Sequence, residues 1–491
     1  MPAVAVNAMA KRLLTNVGFL LLINLLIKPL FIFGIDIPVQ NRVGTEAYGF
    51  YFALFNFAFL FNVILDFGIN NFNQRLVARN PDRVRMWLPN IVLVKLFLAL
   101  IFYALVFVLA VGLQFDRSQL AVLGWISVNR ILVSFHMYFR SNVSGLQAFR
   151  ADAVLSIMDR LLTILLIGAL LYTNVLGRAF QIQDFVIGTT IALSLTAAIS
   201  FIVLRIKSGP IGLSWNSRLF KVILKRAYPF AMLGVLMTLY NRIDGVMIER
   251  LLGDEGDREA GVYAAAYRLL DAATMFAFLI SGILLPLFAR MIKQGKDIWP
   301  VLRMSGRLMF AVSATGVAVG LVFSGPIIQG LYTEADARWA SIFGLLIFGF
   351  LFNSAVYVYG SLLTPDGPLK GLNWIALSGV LLNIVLNLIL IPAQGAYGAA
   401  IATVATQGLA AAANIIYAGW LYGLGRQFNA EAPTYLALLL ILAGAGYGST
   451  LISLDWRLAA ILLASIGGIA SIALKLIDLG QLRSEFGLGE S

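Results

Sequence analysis

Residues 241–286, NRIDGVMIERLLGDEGDREAGVYAAAYRLLDAATMFAFLISGILLP, decide the fold. They read as an apolar helix carrying Arg242 and Asp244, a short acidic loop, and a second apolar helix carrying Arg268 and Asp271. An ionisable side chain at mid-helix in hydrocarbon costs at least roughly 2.5–3.5 kcal/mol, so such residues usually face a partner or a water-filled cavity. The stretch therefore predicts a pathway through a membrane.

The chain on either side is of the same kind. Of its 491 residues 60% are hydrophobic and 12% charged, more apolar surface than a soluble core absorbs. Runs of about 20 apolar residues recur from end to end, which predicts an all-α polytopic membrane protein. Bounding these runs by charges, Gly or Pro gives 14 transmembrane helices, at 13–40, 47–70, 86–112, 119–146, 151–173, 184–205, 228–251, 260–288, 303–323, 339–363, 371–391, 396–422, 434–453 and 457–477. The longest polar interruption, about 20 residues at 205–226, leaves no room for an extramembrane catalytic domain. The first apolar segment begins after Lys11-Arg12 and lacks a small-residue cleavage site, so it is expected to stay as the first span. With no Cys and a single His, His136, neither a thiolate nor a multi-His metal site is expected, and no cofactor is implied.

The net charge of +12 invites a nucleic-acid reading, but its placement points elsewhere. Roughly 22 of the 36 Lys and Arg fall on one set of alternate loops and termini, and about 6 on the other. Lys11-Arg12, Arg75/Arg79/Arg83/Arg85, Arg140/Arg150, the 205–226 linker, Arg290/Lys293/Lys296, Lys370, Arg426 and Lys475/Arg483 share a side. The opposite loops are acidic or neutral, as at Asp254/Glu255/Asp257 and Glu334/Asp336. The positive-inside rule then places both termini in the cytoplasm.

The linker at 207–226 reads as Gly/Pro coil followed by a basic amphipathic piece lying on the inner leaflet. It separates an N-lobe (1–206, helices one to six) from a C-lobe (227–424, helices seven to twelve), with 425–491 carrying helices 13 and 14 and a cytoplasmic tail. An internal repeat supports the division: RVGTEAYGFYFALF at 42–55 matches ERLLGDEGDREAGVYAAAYRLL at 249–270, pairing Gly44 with Gly253 and Gly49/Tyr51 with Gly261/Tyr263. Two six-helix lobes related by a parallel repeat put a substrate cavity between them, with helices 13 and 14 as an appendix.

Five motifs in order carry a family likeness: VGTEAYGFYF at 43–52, DFGINNFNQRLVA at 66–78, NRIDGVMI in helix seven, GVYAAAYRLLD followed by ILLP at 283–286, and LLNIVLNLILIPAQGAYGAAIATVATQ at 381–407. On these the chain resembles the multidrug/oligosaccharidyl-lipid/polysaccharide (MOP, MATE-like) exporter superfamily, and within it the polysaccharide flippases of the O-antigen (Wzx-like) type. The resemblance implies a flippase of the bacterial cytoplasmic membrane that carries undecaprenyl-pyrophosphate-linked oligosaccharide from the inner to the outer leaflet by alternating access. It further implies a proton or Na⁺ as coupling ion, a monomer, and a glycan polymerase complex as partner beside the membrane lipids. The stretch at 267–286 also looks like the eighth helix of lipid II flippases, where an Arg is taken to meet the pyrophosphate; Arg268 is the matching position. Lys28 stands near one of the several Arg those flippases carry on helix one, and the middle position has none, which disfavours lipid II itself.

At about 1.5 Å per residue, Arg268 lies roughly 12 Å and Asp244 roughly 11 Å from the outer helix ends, so the two are expected to pair, while Asp271 shares a face with Arg268. The pair either fixes packing or is a switch in which Arg268 binds pyrophosphate and Asp244 or Asp271 competes for it. Lys28 and Arg130 lie near mid-helix, and Lys95, Arg160 and Arg242 are also at membrane depth. Several cations suit a pyrophosphate, Arg offering bidentate bonds and Lys a point charge; snorkelling to the inner surface accounts equally for Lys95 and Arg160. Pro29 is expected to bend helix one beside Lys28 as a gate. Asp66 reads as a latch to Arg75/Arg79, and Asp159 as a local pair with Arg160 or an ion site. His136 reads as a packed residue, with a proton relay as the sharper alternative. Intramembrane Asn, among them Asn56, Asn62, Asn383 and Asn387, serve sugar recognition or interhelical bonding alike.

The rival readings are a cation-coupled multidrug exporter of the same superfamily, which would want an acidic or apolar cavity, and a membrane glycan polymerase or glycosyltransferase. The external loops are short and carry no nucleophile–base or metal-ligand constellation, so a non-enzyme is expected.

Overall fold

The computed structural model describes residues 26–70, 73, 77, 84–173, 175–208, 217–365 and 369–477. Every regular element among them is helical, and 11 of the helices are long and apolar enough to cross a membrane. In chain order they are α1 (Ile37–Val43), α2 (Thr45–Leu60), α3 (Val84–Gly112), α4 (Arg117–Gly145), α5 (Phe149–Tyr172), α6 (Ile182–Ser208), α7 (Ser217–Leu251) and α8 (Gly256–Lys293). There follow α9 (Trp299–Val322), the short α10 (Ser324–Leu331), α11 (Ala337–Leu346), α12 (Phe348–Leu363), α13 (Leu369–Gln394), α14 (Ala396–Tyr422), α15 (Gly425–Leu451) and α16 (Trp456–Ala473). Lys11-Arg12, Asn71, Arg75, Arg79, Arg83, Arg483 and the linker coil at 209–216 lie outside the described residues.

Two expected spans are not regular helices. The first contains a π-helical turn, Ile32–Asp36, ahead of α1. Pro38 lacks an N–H, so the carbonyl of Gly34 loses its helical donor. The hydroxyl of Tyr172 on α5 takes that place at 3.0 Å. The irregularity therefore sits one to two turns beyond Pro29, where the sequence reading had put the bend. The second span breaks after Leu60 into a 3-10 turn, Asn62–Leu65, and a reversal at Phe67 (φ 43°) and Gly68 (φ 75°). Carbonyls freed at membrane depth must find donors, and this break is stable because neighbouring helices supply them.

The chain packs as two compact units, Met1–Gly261 and Val262–Ser491. The first therefore extends past the expected boundary in the linker. The linker's amphipathic half is the start of α7, which runs unbroken from Ser217 to Leu251. Farther along, α7 lies against α2, where Gly245 meets Phe52 and Asn56 with no side chain of its own. Close approach at small residues is how helices associate where lipid offers no hydrophobic contrast. Within the second unit the expected appendix is core: Leu438 and Leu442 of α15 and Ala459 and Leu463 of α16 bury against Ala311 and Ala314 of α9.

The repeat has structural echoes. Gly44 and Gly253 both take positive φ, 88° and 56°. Gly49 and Gly261, paired by sequence, pack on each other: a Cβ on Gly49 would strike the carbonyl of Asp257, and one on Gly261 the carbonyl of Thr45. Gln40 Nε2 donates to the Gly261 carbonyl at 3.0 Å across the same contact. Gly49→Val or Gly261→Val is expected to lower the melting temperature and the folded yield in detergent, whereas Gly282→Ala, whose Cβ meets open space, changes both little. Equal melting of all three variants would contradict this packing.

Candidate functional site

In the first unit the breaks in the first two spans place charge and aromatic rings together. Arg130 is 13 residues into α4, roughly 20 Å from its outer end. Its guanidinium reaches the 3-10 turn after α2, where Nε and Nη2 donate to Asn62 Oδ1 at 3.2 and 2.8 Å. It lies 4.3 Å from the ring centre of Phe59 and 5.7 Å from that of Phe55. Arg242 of α7 lies 5.4 Å from the Phe59 ring. Arg160 of α5 lies 4.5 Å from the ring of Phe31, and Lys28 stands three residues before Phe31.

These cations share one field. Arg242 and Arg160 act electrostatically on Arg130, and Arg160, Asp159 and Arg140 act on Lys28. Asp159 Oδ2 lies 3.7 Å from Arg160 Nε, a geometry compatible with either a local pair or an ion site. All four cations are at least partly exposed. Rings and amides orient a guanidinium without cancelling its charge, so the groups touching Arg130 leave it positive toward an anion.

Lys95 differs. It is 1% exposed, its ammonium donates to the Leu65 carbonyl at 2.8 Å, and Asp66 Oδ1 lies 3.7 Å away. Ser134, one turn beyond Arg130 on α4, donates to the same carbonyl at 2.9 Å. Lys95 therefore neither snorkels nor lines open space: it supplies the donor and the charge that the broken helix needs. Asp66 meets Lys95 and accepts from the Asn70 N–H at 3.2 Å; its expected latch to Arg75/Arg79 lies outside the described residues.

The remaining candidates separate by unit. Asp244 is buried on α7 in the first, and Arg268 and Asp271, three residues apart and half-buried on α8, belong to the second. His136 is buried, with Nδ1 2.8 Å from Ser200 Oγ. Ser200 Oγ in turn lies 2.8 Å from the Thr196 carbonyl, so His136 sits in a buried hydrogen-bonded contact between α4 and α6. Asn387 donates to Asn383 at 3.0 Å and both are buried.

The sequence alone leaves two groups unmarked, Asp36 and Glu431, and gives Asn62 a different role. Asp36, 2% exposed in the π turn, accepts from Tyr48 at 2.7 Å; its signal was an acid amid the apolar run GIDIP. Asn62 was weighed for sugar rather than as the seat of Arg130. Glu431 bridges Arg303 and Arg307 in the second unit at 2.7 and 2.5 Å. Among the described residues no group of three or more His, Cys, Asp or Glu is placed to hold a metal ion.

Comparison with known proteins follows this geometry. The profile of a family described as "Polysaccharide biosynthesis protein" matches residues 13–292, more than half of the chain. An uncharacterized membrane protein of Methanocaldococcus jannaschii is 28% identical over 185 residues, which cover 38% of this chain and 42% of that relative. Among solved structures, the lipid II flippase MurJ in an inward closed conformation is similar with a TM-score of 0.67 at 15% identity, over 94% of this chain and 97% of that one. An inward-facing multidrug resistance MATE family transporter of the MOP superfamily gives 0.65 at 14% identity, over 83% and 98%. A MOP superfamily transporter from Pyrococcus furiosus gives 0.60 at 15%, over 84% and 95%. The fold is thus the one shared by these transporters.

Removing one partner of a buried pair strands the other. Lys95→Met is expected to destabilise the purified protein by roughly 1–3 kcal/mol, since Asp66 keeps some contact with water. Thermal unfolding checks it, with Lys95→Met/Asp66→Asn recovering part of the loss; an unchanged melting temperature in Lys95→Met would contradict the assignment.

Proposed function

This chain belongs to the polysaccharide biosynthesis protein family, and on that premise we propose that it is a membrane flippase for undecaprenyl-pyrophosphate-linked oligosaccharide. It moves the lipid-linked unit from the cytoplasmic to the periplasmic leaflet of the bacterial cytoplasmic membrane by alternating access, with both termini in the cytoplasm. The observation that carries the reading is Arg130: a guanidinium at mid-membrane, seated on Asn62 and the rings of Phe59 and Phe55. With Arg160, Arg242 and Lys28 in the same region it favours a multiply charged anion.

Arg130 and Arg242 receive the pyrophosphate in this scheme, with Lys28 and Arg160 adding charge toward the inner leaflet. Arg268 is a further candidate cation for such an anion, and Lys95 holds the broken helix so that Asn62 stays in place. Asp159 competes for Arg160 before the anion arrives, while Asp244 and Asp271 are the carboxylates through which a proton or Na⁺ would couple. Pro29 and the π turn at Ile32–Asp36 together form the gate of helix one. A cationic site repels cationic drugs, which argues against the multidrug-exporter reading. The chain works as a monomer that hands its cargo to a glycan polymerase.

A hydrogen bond to a charged group contributes about 1.5–3 kcal/mol, so losing the Arg130 contact costs about 10- to 150-fold in binding. Arg130→Gln is expected to reduce export of lipid-linked glycan in cells by at least ten-fold at equal protein level, and Arg130→Lys by less. Undiminished export in both Arg130→Gln and Arg268→Ala would overturn the proposal.

A further inference from the structure

The second unit encloses a cavity of about 300 Å³ that the cationic site of the first unit does not use. It lies among α9, α12, α14 and α15, and its walls are apolar, with Phe310, Leu351 and Ala411 among them. Two serines also line it, but Ser313 and Ser354 give their protons to Met309 and Phe350 carbonyls of their own helices. The other polar atoms come from Tyr359 and Tyr435. Their hydroxyls converge over Gly306, at 3.8 and 3.7 Å from where its Cβ would stand.

Charge gathers at that same end. Glu431, 4% exposed, accepts from Nε of Arg303 and Nε of Arg307. Each arginine engages Glu431 through Nε, and Arg307 Nη1 donates to the Lys475 carbonyl at 2.9 Å. Two guanidiniums against one carboxylate leave a formal charge of +1. The exposed Lys475 side chain stands at the same level.

The helix ends fix the depth. Arg303 is four residues into α9, Glu431 six into α15, and Lys475 two beyond α16, so the charges sit near the membrane face that carries the basic loops. From Tyr359 to Leu351 the cavity runs from roughly 6 to roughly 18 Å below the end of α12. Cations at headgroup level about one turn from the lining residues Gly306 and Tyr435, the two hydroxyls and an apolar shaft within one leaflet are complementary to one amphiphile with an anionic head. Basic pockets between membrane helices on the cytoplasmic side recognise such lipids.

We propose that this cavity is a binding site for an anionic phospholipid of the inner leaflet. Its phosphate lies between Arg303 and the hydroxyls of Tyr359 and Tyr435, and one acyl chain fills the shaft. The lipid ties α9, α12 and α15 together at the face where Glu431 already joins α15 to α9. The assignment stands apart from the flippase reading, because the residues and the leaflet-resident ligand are different.

Native mass spectrometry of the full chain, with added phosphatidylglycerol or phosphatidylcholine of identical chains, tests it. The protein is expected to retain phosphatidylglycerol about five-fold better, the worth of one basic residue toward an anionic lipid. Arg303→Ala should abolish that preference while leaving phosphatidylcholine retention unchanged, and Ala411→Leu, which fills the shaft, should lower retention of both. Arg303→Lys, which keeps the charge, should hold part of the preference and serves as the folding control. Equal retention of the two lipids, an unaltered preference in Arg303→Ala, or displacement of phosphatidylglycerol by an equimolar polyprenyl phosphate would overturn the proposal.

Discussion

A guanidinium in the middle of a membrane has to be held by something, and what holds it decides whether it still attracts an anion. A carboxylate would neutralise Arg130; Asn62 and two phenyl rings orient it and leave its charge in place. That seat exists because the second span stops being an α-helix after Leu60. The 3-10 turn brings Asn62 to Arg130, and the carbonyl it frees at Leu65 is satisfied by Lys95 and Ser134. Break, clamp and cation form one arrangement, and removing the clamp exposes an unsatisfied carbonyl where no water is at hand.

The basic residues at membrane depth thus divide by partner rather than by depth. Lys95 faces Asp66, and Arg140 faces Asp152 at 2.9 Å. These are cations committed to carboxylates, and their work is to hold helices together. Arg130 is seated on neutral groups, and Arg160 stands 44% exposed beside Asp159 at 3.7 Å. A translocation site needs the second kind and is built by the first.

How much of this was legible in the sequence follows from what a pattern can carry. Apolar runs and alternating loop charge yielded helices close to the observed ones over most of the chain, because hydrocarbon thickness leaves little freedom. The paired glycines marked equivalent repeat positions; their positive φ at Gly44 and Gly253 and the contact of Gly49 with Gly261 are visible only in the structure. Deep cations were visible as a class. Their partners were not: Asn62 lies 68 residues from Arg130 and Lys95 lies 30 from Leu65, separations that no periodicity reports. Both irregular spans hid for a related reason, since an apolar run reads the same whether its backbone is α, π or 3-10. Helices 13 and 14 looked appended because the repeat ends before them, yet Glu431 and the small residues of α16 bind them into the second unit.

The central claim is that Arg130, seated on neutral groups, directs its charge toward a pyrophosphate. Equilibrium binding of geranylgeranyl pyrophosphate and geranylgeraniol to the purified full chain isolates that claim, because the two ligands differ in the anion alone. The account predicts that the pyrophosphate binds at least about ten-fold more tightly, as expected for a charge-assisted contact, and that Arg130→Gln removes most of the difference. Equal affinity for the two ligands, or a difference that survives in Arg130→Gln, would contradict it.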